Sequence, residues 1–164
     1  MQDSAQLVTI RPATRDDEGF LLHLFAGTRP EFNLLDLPES QKQALMSMQF
    51  KAQRQQYDAS YPEAESGIIL RDDRPIGRML VDRTAPEITL IDIALLPEHR
   101  NAGIGTDLIQ GLLAEATGAR KPVRLHVLKS NRALRLYERL GFSRVGDQPM
   151  YFEMLFQPTV DRQR

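Results

Sequence analysis

Leu95-Leu96-Pro97-Glu98-His99-Arg100-Asn101-Ala102-Gly103-Ile104-Gly105-Thr106 is the stretch on which the fold of this chain turns. An apolar, β-branched run stops at Pro97. A loop with two glycines then opens directly into an amphipathic segment. The first amides of a helix have no partners inside it, and the helix dipole adds partial positive charge there. Glycine lets an anion approach the backbone with no Cβ in the way. Arg100 brings a full charge beside those donors. This is the composition of a seat for a phosphate or pyrophosphate. A glycine-rich strand-to-helix turn that holds nothing is the competing reading of the same residues.

Other phosphate and nucleophile motifs fit less well. The dinucleotide fingerprint needs a third glycine where Leu108 stands, and no Gly-x-x-x-x-Gly-Lys-Ser/Thr occurs. There is no Gly-x-Ser-x-Gly elbow. His23, His99 and His126 are scattered and no His-Glu-x-x-His is present, so no metal site is expected.

Outward from that stretch, residues 87–96 read as a central strand, and residues 104–116 as a helix. Ile104, Leu108, Ile109, Leu112, Leu113 and Ala116 form its apolar stripe, and Gly118 is its expected stop. Residues 123–128 form a strand, 131–140 a helix ended by Gly141, and 142–145 and 150–156 two more strands. Upstream, residues 7–11 alternate as a strand. Thr14 and Asp17 resemble a capping box for a helix over 15–26 that Gly27 should end. Residues 31–38 read as a loop and 40–57 as a second helix, with Met46, Met48 and Phe50 packing a core or a site wall. Residues 66–71 and 76–83 flank Asp72-Asp73-Arg74-Pro75, a hairpin signal. Strands with helices between them in this order make a mixed α/β or α+β sheet.

At 164 residues, 41% hydrophobic and 26% charged, one soluble domain over 1–164 is expected. The formal net charge of −1 argues against bulk nucleic-acid binding, which needs a phosphate-neutralising excess. The chain has no cysteine, which excludes disulfides, thiolate nucleophiles and cysteine zinc sites. Met1-Gln2-Asp3-Ser4-Ala5-Gln6 has neither a basic nor an apolar leader region, and the apolar run at 90–97 is short and broken by Asp92. A cytoplasmic location, no membrane association and a polar tail at 161–164 are expected.

Two segments together resemble the GNAT superfamily of acyl-CoA-dependent N-acyltransferases. Leu95-x-Pro97-x-x-Arg100-x-x-Gly103-x-Gly105 is similar to its pyrophosphate-binding motif. Asn131-Arg132-Ala133-Leu134-Arg135-Leu136-Tyr137-Glu138-Arg139-Leu140-Gly141-Phe142 is similar to its Asn…Ala-x-x-Leu-Tyr-x-x-x-Gly-Phe motif. Their order and separation also match. Two departures stand out. Asn101 replaces the usual glycine, a position where Asn tolerates left-handed geometry better than most residues. Asn131 lies six residues before Tyr137 where seven is common, so Ser130 or Asn131 could meet the cofactor.

The resemblance implies a central mixed, mostly antiparallel sheet of six to seven strands flanked by about four helices. It implies acetyl-CoA as co-substrate, no metal, and direct acetyl transfer to a primary amine of a small molecule, peptide or protein. The backbone around Ile93 and Leu95 would pair with the pantetheine arm, and the Leu95 amide would face the developing oxyanion. Amides of Arg100, Asn101, Ala102, Gly103, Ile104, Gly105 and Thr106 would hold the pyrophosphate. Tyr137 would serve as the acid for the departing thiolate, although its apolar stripe with Ala133, Leu136 and Leu140 also suits a core residue. The base is open among Glu87, Asp92, His126 and a water chain. Asp92 is a carboxylate in an apolar run, costly unless paired, and His126 has a near-neutral ordinary pKa. Glu31, Asp36 and Asp58 could favour a cationic acceptor, and Lys129 or Arg132 could touch a cofactor phosphate. A homodimer is common among such proteins. Two other classes stay in view: a catalytically silent CoA-binding regulatory or interaction domain, and a nucleotide-binding α/β protein.

Overall fold

The structure is a computed structural model that describes residues 7–159. Residues 1–6 and the tail at 161–164, on which two of the expectations fall, lie outside the described residues. The elements run β1 (Val8–Pro12), α1 (Glu18–Gly27), α2 (Glu39–Ser60), β2 (Glu65–Arg71), β3 (Arg74–Arg83), β4 (Ile88–Leu95), α3 (Ile104–Ala119), β5 (Val123–Leu128), α4 (Leu134–Arg139), β6 (Ser143–Asp147) and β7 (Tyr151–Phe156). Strands hydrogen-bond in the order β1-β2-β3-β4-β5-β7-β6. The β4–β5 pair is parallel, while β1–β2, β5–β7 and β6–β7 are antiparallel. This is the mixed, mostly antiparallel seven-stranded sheet with four α-helices that the resemblance implies.

The chain forms two compact units, one of residues 7–80 with Ile93–Arg100 and one of Val81–Asp92 with residues 101–159. In the first, Leu21, Phe25, Phe50 and Ile68 form a core with Phe20, Leu22, Met46 and Leu70 packed on it. Phe25 and Phe50 meet edge to face at 5.6 Å. Met46 and Phe50 therefore serve the core, whereas Met48 is exposed. The Thr14–Asp17 capping box is present, but it opens a 3-10 turn (Arg15–Asp17) before α1 begins. Asp17 also takes both arms of Arg11, at 2.7 and 2.8 Å, which holds its carboxyl well below the usual range. Gly27 does not stop α1 but closes its last turn, and Thr28 ends it by donating its hydroxyl to the Phe25 carbonyl at 2.7 Å. A 3-10 turn (Pro30–Leu34), with proline at its start, occupies part of the expected loop. The β2–β3 turn needs only Asp72 and Asp73, both left-handed at φ 51° and 66°, and Arg74 and Pro75 already belong to β3.

In the second unit, α3 buries Ile104, Ile109, Leu112, Leu113 and Ala116. Each large apolar side chain contributes about 1.5–3 kcal/mol. That outweighs Gly105, Gly111 and Gly118 at about 1 kcal/mol each. Gly118 thus stays helical. The helix ends at Arg120, left-handed at φ 58°, just before Pro122. Val123, Leu125, Val127 and Met154 are buried on one face of β5 and β7. The segment expected as a helix over 131–140 is helical only from Leu134, because the Asn131 side chain accepts the Ala133 amide at 2.9 Å and makes a turn of its own.

Candidate functional site

The end of β4 sets out one part of the site. Leu96 donates its amide to the Ile76 carbonyl on β3 at 2.8 Å. Successive backbone groups of a strand point to opposite sides, so the Leu95 amide and carbonyl face away from β3. The Leu95 carbonyl accepts Arg100 Nε at 3.0 Å. Arg100 is thereby folded back on its own strand. A Cβ on Gly77 would lie 2.3 Å from the Ala94 oxygen and 2.8 Å from Leu95 Cδ2, so glycine alone permits β3 to approach this part of β4 so closely. The parallel ladder with β5 holds only Ile88 opposite Val123, Thr89 opposite Arg124 and Leu90 opposite Leu125, yet β4 continues to Leu95.

The same unit carries a short turn (Pro97–His99) leading to Arg100. His99 Nδ1 lies 3.1 Å from Arg71 Nη1 at the end of β2. This pairing bridges residues 28 apart, and no periodic signal announces it. A separate cavity of about 280 Å³ is lined by Leu21, Phe50, Leu80, Glu18, Asp58 and Arg78, among others. Asp58 is on that wall, whereas Glu31 and Asp36 are simply exposed.

In the second unit the loop reaches α3 through two left-handed residues, Asn101 at φ 61° and Gly103 at φ 81°. Asn101 adopts the geometry a glycine would, as its side chain allows. Residues 101–103 are exposed, Ile104 is buried as the anchor, and Gly103 caps the helix with its carbonyl taking the Asp107 amide at 3.0 Å. The amides of Ile104, Gly105 and Thr106 occupy the first turn, where a helix supplies them no acceptor.

Tyr137 is 8% exposed, with its ring edge-on to Phe142 at 5.7 Å. Burial first, and then the negative charge of Asp92, push its hydroxyl up to about 12. The structure thus puts the carboxylate that interrupts an apolar run within electrostatic reach of Tyr137. His126 stands exposed on β5, directly across from Glu153 on β7. Glu87 is committed elsewhere: both its oxygens accept Arg124 Nε at 3.1 Å, and Arg124 also pairs with Glu153. Lys129 pairs with Asp147 and lies 4.8 Å from the Phe152 ring, and Ser130 and Arg132 are exposed. Asn131 uses its side-chain oxygen internally, which leaves its amide nitrogen as the donor on offer. Among the described residues no cluster of three or more His, Cys, Asp or Glu could hold a metal ion. No described helix is long and apolar enough to cross a membrane.

Comparison with known proteins adds the family. A model described as the acetyltransferase (GNAT) family matches residues 30–142. A [ribosomal protein bS18]-alanine N-acetyltransferase of Haemophilus influenzae is 31% identical over 87 residues, or 51% of this chain and 58% of that protein's length. The PaiA N-acetyltransferase of Thermoplasma acidophilum, solved with coenzyme A, superposes with a TM-score of 0.67 at 17% identity, over 92% of this chain and 99% of that one. The ribosomal-protein-S18-alanine N-acetyltransferase of Escherichia coli superposes with a TM-score of 0.63 at 18% identity, over 96% and 99%. Both structural likenesses are likenesses of fold.

Proposed function

Because the chain belongs to the acetyltransferase (GNAT) family, we propose that it moves the acetyl group of acetyl-CoA to a primary amine, acting as one domain in the cytoplasm. The observation that carries this is the pair of left-handed residues, Asn101 and Gly103, turning the chain into the free first amides of α3. The amides from Asn101 to Thr106 hold the pyrophosphate; the Arg100 amide is already taken by the Pro97 carbonyl at 3.2 Å, so Arg100 contributes its side chain instead. The backbone at Ile93 and Leu95 pairs with the pantetheine arm, and the Asn131 amide nitrogen donates to it. The Leu95 amide, turned away from β3, stabilises the oxyanion.

The chemistry needs no covalent enzyme intermediate. The acceptor ammonium loses a proton, and His126, exposed on β5, takes it. The amine nitrogen attacks the thioester carbon, the C–S bond breaks with its electron pair going to sulfur, and the nitrogen's second proton passes to that sulfur, giving an amide and the CoA thiol. A tyrosine at about 12 is roughly 3 units above an ordinary thiol, so full proton transfer to a thiolate is uphill by about 4–5 kcal/mol. Tyr137 therefore acts as a hydrogen-bond donor to sulfur while the bond breaks, its hydroxyl kept protonated by burial and Asp92. A peptide or protein amine is the acceptor class, a reading supported by the name of the Haemophilus influenzae relative.

The test measures free CoA thiol released from acetyl-CoA with peptides bearing an N-terminal alanine, with CoA affinity measured by calorimetry. Turnover is expected, with Tyr137→Phe lowering kcat by about 10²-fold or more and leaving CoA affinity unchanged. CoA binding without thiol release across a panel of peptide and small-molecule amines would identify a silent CoA-binding domain instead. No CoA binding at millimolar concentration would refute the proposal outright.

A further inference from the structure

The turn that carries the chain from β4 to the loop is held by its own short bonds and by ties to the neighbouring hairpin. His99 donates its amide to Leu96 at 3.0 Å and Arg100 donates to Pro97 at 3.2 Å, both within the turn. Leu96 reaches out to Ile76 on β3 at 2.8 Å. Arg71 reaches in from the end of β2 to His99 Nδ1 at 3.1 Å. Arginine has five donors, no acceptor, and does not lose its proton in proteins. His99 Nδ1 must therefore present its lone pair, and the ring proton sits on Nε2. The contact is partly buried, so the ring cannot be turned without losing it.

We propose that Arg71 and His99 are positioning residues for the co-substrate. Arg71, through a His99 fixed as the neutral Nε2–H tautomer, pins the turn Pro97–His99 to the β2–β3 hairpin and sets the place of Arg100. This deepens the reading above and rests on it. Neither side chain touches the reacting atoms in this scheme. Their work is done before binding: a turn already fixed in place loses less conformational freedom when an anion is seated at its end. Loss of the latch therefore weakens co-substrate binding and leaves the chemical step alone.

The experiment uses the full chain, with calorimetry of CoA and steady-state kinetics on Arg71→Ala, Arg71→Lys, His99→Ala, His99→Asn and His99→Gln. Asparagine places an oxygen where Nδ1 stands, whereas glutamine reaches the position of Nε2. Arg71→Ala and His99→Ala should each raise the CoA Kd and the acetyl-CoA KM about 5–10-fold, as ordering costs of this size imply, with kcat held within about twofold. His99→Asn should restore affinity, His99→Gln should not, and Arg71→Lys should fall between. The double variant should be no worse than either single one. Nitrogen-15 spectra should show His99 Nδ1 unprotonated, and exchange of the Arg100 amide should quicken in Arg71→Ala. Unchanged affinity in Arg71→Ala, additive losses in the double variant, or His99→Asn as weak as His99→Ala would each overturn the latch. A wild-type chain that binds no CoA sinks the proposed function instead. The imidazole spectrum and the Arg100 exchange rate then judge the latch alone, and a protonated Nδ1 or unaltered exchange rejects it.

Discussion

Replacing Tyr137 with Phe should remove an alkaline weakness that the wild-type chain carries. The buried hydroxyl titrates at about 12 in the folded chain and near 10 once unfolded. Above pH 10 the unfolded chain sheds this proton first, so stability is whole below pH 10 and falls as pH rises towards 12. Two units correspond to about 2.7 kcal/mol in total, of which about 1.4 kcal/mol has gone by pH 11. Tyr137 is 8% exposed, so solvent screens little of this. Phenylalanine keeps the edge-on contact with Phe142 and has nothing to titrate. Urea unfolding of both proteins at pH 8, 9.5 and 11 measures the difference. The other tyrosines, Tyr57, Tyr61 and Tyr151, and every lysine are common to both chains and cancel. The wild type should lose about 1.4 kcal/mol more than the variant between pH 8 and 11. Parallel losses would show that the hydroxyl is not buried as described, and the reason for its staying protonated would fall with it.

Gly77→Ala should destabilise the chain by at least about 1–3 kcal/mol and depress turnover, because the new methyl meets a main-chain oxygen of Ala94 rather than a movable side chain; a wild-type melting temperature would contradict the close approach. Asn101→Gly should bind CoA at least as well as wild type, whereas Asn101→Val should strain the left-handed loop by about 1–2 kcal/mol and weaken CoA binding in calorimetry. Asp17 is held below the usual carboxylate range by Arg11 and the Thr14 amide. Its stabilisation is full above the unfolded pKa near 3.9 and is lost as pH falls towards its folded value. Asp17→Asn should thus lower the melting temperature at pH 7, with the gap narrowing below pH 4 in a calorimetric series.

Local chemistry made much of this legible. The stripe on α3 follows from spacing, and Asn101 was readable as a residue that tolerates left-handed geometry where the resembled family usually has glycine. Glycine misled at Gly27 and Gly118, since a glycine permits a helix to end but does not require it. At α3 the stop comes from Arg120 and the following Pro122, and burial further up the helix outweighs the glycine cost. The short α4 was hidden because Asn131 can serve either as a helix start or as a turn, and the Ala133 amide decides. Asp92 stood out as a charge in an apolar run, but Tyr137, whose ionisation its charge opposes, lies 45 positions away. The Arg71–His99 tie is the same kind of case. Such proximities are made by the tertiary fold, which brings a strand against a helix or a turn, and nothing in the spacing of either residue encodes them.

Arg124, held between Glu87 and Glu153, has a consequence for how the parallel pair comes together. If β5 slid one residue along β4, Arg124 would swap faces with Val123 and Leu125 and its charge would be driven among hydrocarbon side chains. A slide of two residues would keep the face but carry the guanidinium roughly 6.6 Å from the Glu87 carboxylate, stranding two partly shielded charges. Either misalignment is penalised at the moment it forms, so this ion triad proofreads a parallel strand pairing that no tight hairpin can enforce.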